Sequence, residues 1–212
     1  MSAGEIVVAT VLAVLSYVAG SIPFGVVIAK LTGAPDPRTL GSGRTGGTNA
    51  LRAMGRRRAL LVVAGDVLKG TIPVLVARLV TGNAAVEVVC GVAAILGATR
   101  SMFVGFKGGR GVGTSVGTML VIFPAAILVG APVFVGVILV TRYVSLGSLL
   151  AVASGAALIG IWWLAANGSV PAAYLLYAIL GSALVWLAHA DNINRLLHGT
   201  ERRFDLDLLA RD

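Results

Sequence analysis

Charge is scarce in this chain: 12% of its 212 residues are Asp, Glu, Lys or Arg, about half the ~25% of an ordinary soluble domain. Cysteine is scarcer still. Cys90 stands alone in an apolar run, which excludes a disulfide framework and a cysteine-based metal cluster. The nine Asp and Glu residues include no set at ligand spacing, so neither a metal nor a cofactor is expected. No basic segment precedes the first apolar run, where Glu5 sits instead, so no cleaved signal peptide is expected. No repeat with a period of 20–50 residues is visible, against a solenoid. What fills the chain is apolar: 57% hydrophobic residues and a mean hydropathy of +0.93. Together these exclude a soluble enzyme, a disordered tail and a nucleic-acid module, and predict an all-α integral membrane protein.

The net charge is +8, from 14 Arg and 3 Lys against the nine acids. These cations sit in short segments between apolar runs, which fits cytoplasmic loops, an anionic substrate, or both. A ~30 Å hydrocarbon core needs about 20 helical residues. The first predicted span covers residues 6–31 with a kink at Pro23, followed by a long polar loop over 32–58. Spans over 59–80 and 84–99 follow, joined by the turn at 81–83, and a second polar loop covers 100–113. The apolar stretch 112–141 is too long for one helix; Pro124 and Pro132 divide it into two short ones meeting near 123–130. After a third polar loop at 142–148 come spans at 149–166 and 171–188, separated by Asn167-Gly168-Ser169, and then a polar tail from His189. Seven transmembrane helices, some short or broken, are therefore predicted, in a single domain over 1–212. With the N-terminus outside and the C-terminus cytoplasmic, Lys69 lies within a span and Arg78 near the outer face. The other 15 of the 17 cations, Arg211 included, then face the cytoplasm.

Three polar segments carry candidate chemistry. Gly41, Gly43 and Gly46 match G-x-G-x-x-G, but a membrane span precedes them where a dinucleotide fold needs a strand. The physics of the pattern survives. Backbone N–H groups can converge on an anion, Ser42, Thr48 and Asn49 add donors, and Arg52 adds a fixed charge. The alternative is a plain polar loop. Gly105–Ser115 holds Lys107, Gly108, Gly109, Arg110 and Gly111 just before a helix start, where open amides favour phosphate. A positive-inside loop accounts for its cations but not for its glycines. In the third segment His189 and Asn192 are three apart and share a helix face, although a lone His at a membrane edge is more often a polar anchor. Asp66 and Lys69 read as an intramembrane ion pair, and Gly113 with Gly117 as a close-packing pair.

In order, Ser21-Ile22-Pro23-Phe24-Gly25, the Gly41–Arg52 loop, Asp66–Gly70 with Phe106–Gly111, and His189–Glu201 resemble the acyl-phosphate-dependent glycerol-3-phosphate acyltransferases of bacterial membranes. The resemblance covers nearly the whole chain. It implies seven spans in the bacterial inner (plasma) membrane, an active site facing the cytoplasm, and acyl transfer from acyl phosphate to the 1-hydroxyl of sn-glycerol 3-phosphate, giving lysophosphatidic acid and phosphate. Its partners would be those two substrates and membrane lipid, with no nucleic acid. By this resemblance Ser42, Arg52, His189 and Asn192 are catalytic. Gly43, Thr48, Asn49, Lys107, Gly108, Gly109, Arg110, Gly111 and Ser148 bind substrate, with Ser145 the rival of Ser148 and Glu201 structural. Arg44, Gly47 and Arg110 depart from the Asn, Ala and Lys usual in the family. Acyl phosphate is already activated, so its own phosphate can take the proton from the attacking hydroxyl while His189 and Asn192 orient the acceptor; His189 as general base is the alternative. A membrane transporter of an organic phosphate is the rival function, favoured by Asp66, Lys69 and broken helices. A purely structural scaffold is a further rival and leaves the glycine-cation loops unexplained.

Overall fold

A computed structural model describes residues 2–165 and 168–209; Ala166 and Asn167, at the end of a predicted span and in the turn after it, and Arg211 of the charge count lie outside the described residues. The described chain is helical throughout, with no strand. Its helices are α1 (Ala3–Ser21), α2 (Phe24–Thr32), α3 (Gly47–Met54), α4 (Arg56–Thr81), α5 (Ala84–Thr99), α6 (Val112–Ile122), α7 (Ala125–Thr141), α8 (Val144–Ala165), α9 (Ala173–Ala188) and α10 (Ala190–Leu197). The first begins in a capping box: Glu5 N–H donates to Ser2 Oγ at 3.3 Å, and Ser2 N–H donates to the Glu5 carboxylate at 2.6 Å. Among the described residues, four helical stretches are long and apolar enough to cross a membrane, at Ala3–Ser21, Arg56–Thr81, Ala84–Val104 and Val144–Ala165. Counted as one span, the α9–α10 pair, bent by 64°, makes a fifth; α6 and α7 are shorter. Leu128, Val140 and Leu187 stand 78%, 84% and 72% exposed, whereas Ser16, Glu87, Thr114 and Thr118 are buried. An apolar exterior around a partly polar interior suits a solvent of lipid.

The expected span over 6–31 is two helices, because Ile22-Pro23 ends α1 outright. Proline cannot donate to the preceding turn, and the carbonyls freed there need other partners. Lys69 Nζ donates to Ile22 O at 3.0 Å while pairing with Asp66 at 2.6 Å, and Ser101 Oγ donates to Ser21 O. The polar loop expected over 32–58 contains α3, and α4 starts within its end. The third polar loop shrinks to Arg142 and Tyr143, because α8 begins at Val144 and carries Ser145 and Ser148 in its first turns. Pro124 separates α6 from α7 as expected. Pro132 does not: α7 runs through it, losing one backbone hydrogen bond without losing the helix.

The helices meet through backbone. A Cβ on Gly20 would lie 2.1 Å from Ala94 O, and one on Gly97 2.2 Å from Tyr17 O, so α1 and α5 touch twice. On α4 and α6, a Cβ at Gly70 would lie 2.2 Å from Thr114 O and one at Gly117 2.0 Å from Val67 O, and Thr71 Oγ1 donates to Gly117 O at 3.1 Å. Gly113, also on α6, backs onto the Asp66 side chain. Gly117→Ala should therefore push α4 from α6 and cost about 1–3 kcal/mol. Gly160→Ala, where a Cβ meets nothing within 4 Å, should be neutral or stabilising. Thermal unfolding in detergent checks this; equal midpoints for the two variants would refute the close contact.

Candidate active site

The first glycine loop is shaped by one amide. Asn49, buried on α3, donates through Nδ2 to the carbonyls of Pro37 (2.5 Å), Leu40 (3.1 Å) and Arg44 (2.9 Å), and its Oδ1 accepts from Ser42 N–H at 3.1 Å. Gly41 lies in the left-handed region at φ +56°, and a Cβ there would sit 2.2 Å from Asn49 Oδ1, so only glycine lets the loop close on that amide. On the other side the loop leans on α2, where a Cβ on Gly25 would lie 2.2 Å from Thr45 O. Gly46 caps α3, whose first amides, on Gly47 and Thr48, have no intrahelical acceptor.

The second loop spends some of its amides on the fold and leaves others open. Gly108 N–H donates to Thr99 O at 3.2 Å and Gly109 N–H to Ala98 O at 2.9 Å, so both satisfy the C-terminus of α5. The turn then passes through Gly111 at φ +77° into α6, leaving the amides of Val112, Gly113 and Thr114 without intrahelical acceptors. The two loops meet: a Cβ on Gly109 would lie 3.5 Å from Thr45 Oγ1, and Arg44 Nη1 donates to Gly108 O at 3.4 Å.

The α9–α10 elbow completes the site. His189 Nδ1 donates to Val185 O at 2.8 Å, a tautomer fixed by a carbonyl that can only accept, so Nε2 keeps its lone pair. Burial, helped by Arg110, pushes the His189 pKa below its ordinary value, so the ring is neutral near pH 7. Arg110 spans the bend, donating to Ala188 O on one side and to both Asp191 oxygens on the other. It holds the Asp191 carboxyl well below the usual carboxylate range. Asn192 donates to Glu201 Oε1 at 2.7 Å, and the same oxygen accepts from Ser145 Oγ at 3.1 Å while Oε2 accepts from Arg195 at 2.8 Å. That leaves Asn192 Oδ1 buried with no hydrogen-bond partner among the described residues. The Ser148 hydroxyl donates to Val144 O one turn back at 2.9 Å.

These parts surround one cavity of about 720 Å³. Ser42, Thr48, Asn49, Arg52, Gly109, Arg110, Gly111, Ser148, His189 and Asn192 line it; Gly43, Lys107 and Gly108 do not, and Lys107 is exposed. Its other wall is apolar, from α7 (Ala126, Phe134, Ile138) and α8 (Ala151, Val152, Gly155). Arg44, Thr45, Ser145, Glu201 and Arg202 also reach it. The charge of Arg44 and the acid of Glu201 were the available signals for the first and fourth. Arg52 is half-buried and finds no protein acceptor among the described residues. Burial and the nearby Arg202 charge push its pKa down, as burial and Arg110 do for Arg44. An added anion would offset that cost. Among the described residues no three His, Cys, Asp or Glu side chains gather as a metal site.

The chain is similar to known proteins in both sequence and fold. Residues 10–199 match the family model described as glycerol-3-phosphate acyltransferase. The chain is 40% identical to glycerol-3-phosphate acyltransferase 3 of Dehalococcoides mccartyi (strain CBDB1), over 91% of this chain and 94% of the relative. It is 41% identical to glycerol-3-phosphate acyltransferase of Aquifex aeolicus (strain VF5), over 91% and 97%. Crystal structures of PlsY (YgiH), an integral membrane glycerol 3-phosphate acyltransferase, superpose with TM-scores of 0.85 for the glycerol 3-phosphate form and 0.84 for the lysophosphatidic acid form. They share 41% and 40% identity, and each pairing covers 95% of this chain and 98% of the other. By sequence, fold and extent of match, the chain belongs to the glycerol-3-phosphate acyltransferase family.

Proposed function

We propose that this chain transfers a fatty acyl group from acyl phosphate to the 1-hydroxyl of sn-glycerol 3-phosphate, giving lysophosphatidic acid and phosphate. The reading takes α1, α4, α5, α6, α7, α8 and α9 as seven spans of a bacterial inner membrane. The N-terminus is outside and the site at the cytoplasmic face, because the loops that build the site carry most of the cations. One observation carries the function. Phosphate ligands and hydroxyl acceptors that have no partner among the described residues line a cavity whose α7 and α8 wall is apolar. Arg52 and the open amides of α3 and α6 suit phosphates; His189 Nε2 and Asn192 Oδ1 can each accept from a glycerol hydroxyl; the faces of α7 and α8 suit an acyl chain. The PlsY structures with glycerol 3-phosphate and lysophosphatidic acid are forms with the acceptor and product of this reaction.

The chemistry needs no enzyme nucleophile. The acceptor oxygen attacks the acyl carbon, the bond from that carbon to the phosphate oxygen breaks, and the departing phosphate takes the hydroxyl proton. The protein's task is to hold two mutually repelling anions in reacting geometry and to stabilise the charge that develops. Ser42, Thr48 and Arg52 hold phosphate oxygens, with Gly111 and Gly109 allowing close approach. Ser148 lines the donor side. Lys107, outside the cavity wall and exposed, adds positive potential, and Gly43 and Gly108 shape the two loops. Asn49 and Arg110 act as positioning residues, one for the first loop and one for the elbow.

Ser42→Ala and Arg52→Ala should each lower turnover at least tenfold at normal yield, the loss of about 1.4 kcal/mol or more of transition-state stabilisation. Phosphate release from acyl phosphate plus glycerol 3-phosphate measures this. Near-wild-type rates in both variants would remove the first loop from the site, and no release by wild type would favour a transporter.

A second prediction concerns protonation of His189. Its lowered pKa keeps Nε2 an acceptor at neutral pH; as pH falls through that value the ring gains a proton and turns into a donor. An acid limb below pH ~6.5 should therefore appear in KM for glycerol 3-phosphate and vanish in His189→Ala. A limb in kcat at unchanged KM, or efficient turnover of acyl-CoA, would point to His189 as the base and exclude the donor phosphate from that role.

A further inference from the structure

The match to the family ends at residue 199, yet the described chain continues to 209 as a strap along the polar end of the cavity. It is tied down at two points. Glu201 is held by Ser145, Asn192 and Arg195. Three residues on, Phe204 N–H donates to Arg142 O at 2.6 Å, and the Phe204 and Leu208 side chains pack on the apolar cluster of Ala29, Ala50, Leu51 and Met54. The strap thus crosses from α8 and α10 to α2 and α3, and Arg202 lies between its fixed ends. Arg202 is exposed, lines the cavity, and has no hydrogen-bond or ion-pair partner among the described residues.

We propose that Arg202 is a substrate-binding cation that captures the phosphate of the water-borne acceptor, sn-glycerol 3-phosphate, at the mouth of the cavity. The proposal rests on the function argued above. The two substrates reach the site from different solvents. The donor's long chain is matched by the apolar wall of α7 and α8, whereas the acceptor is small, doubly anionic and comes from water. A solvent-facing guanidinium on the polar edge meets the second kind of molecule first. Arg202 also sits close enough to disfavour the charge of Arg52, a repulsion that one phosphate between the two guanidinium groups would offset. Its neighbour Arg203 is exposed too but does not line the cavity, which makes it a matched control.

The test is initial-rate kinetics on the purified full-length protein in neutral detergent, varying each substrate separately at low and physiological salt. Arg202→Gln should raise KM for glycerol 3-phosphate about tenfold, the worth of one charge-assisted hydrogen bond. It should leave KM for acyl phosphate unchanged and flatten the salt dependence of kcat/KM. Arg202→Lys should recover most of the loss, and Arg203→Gln should match wild type. An unaltered KM in Arg202→Gln, an equal rise in Arg203→Gln, or a rise confined to acyl phosphate would each overturn the assignment. Absence of any glycerol 3-phosphate turnover in wild type would instead strike down the function on which the proposal depends.

Discussion

Backbone-on-backbone contact at glycine is what the rest of this structure depends on. In lipid, apolar side chains gain nothing by leaving one hydrocarbon surface for another, so helices associate through close packing and internal hydrogen bonds. At Gly20, Gly70, Gly97 and Gly117 a carbonyl of the facing helix occupies the space a Cβ would need. The same device reaches the candidate active site. Gly25 admits the Thr45 carbonyl of the first loop, and Gly108 admits the Ala98 carbonyl below the second. Scaffold and site are therefore set by one kind of contact. The two loops lie against each other because the helices bearing them cannot be spread by side chains.

Much of this was legible in the sequence, and for identifiable reasons. Scarce charge and long apolar runs gave the class of protein, Pro124 divided α6 from α7, and Asp66 with Lys69 read as an intramembrane pair, which they form. Gly113 and Gly117 announced a close helix contact, which the structure places against α4. The two glycine-cation loops and the His189–Asn192 elbow were visible as segments, and the structure brings them to one cavity.

What stayed hidden was the allocation of hydrogen bonds. Gly108 and Gly109 look like their neighbour Gly111, yet their amides are spent on α5, because a helix C-terminus leaves carbonyls that must be met. Asn49 looks like another phosphate donor in a polar loop, but its amide meets four backbone groups of that loop. Nor did the segment Gly47–Met54 read as helix. Its Gly, Thr and Asn are poor helix formers, and α3 exists because Ala50, Leu51 and Met54 bury against Ala29, Ala59 and Val62. Tertiary burial outweighed local preference there.

The electrostatic design follows from the shortage of acids. With 17 cations and nine carboxylates, pairing must be selective, and the pairs that form are architectural. Lys69 with Asp66 closes the break between α1 and α2, Arg78 with Glu87 ties α4 to α5, and Arg110 and Arg195 with Asp191 set the elbow. A cation already matched to a carboxylate inside the protein has little left to offer a phosphate. Arg52, half-buried beside the like charge of Arg202 and without a protein acceptor among the described residues, has its charged form disfavoured, a cost that an added anion would offset. The division between cations that build and cations that bind is thus drawn by where the few carboxylates lie. The glycine loops supply further donors without adding side chains that would compete for them.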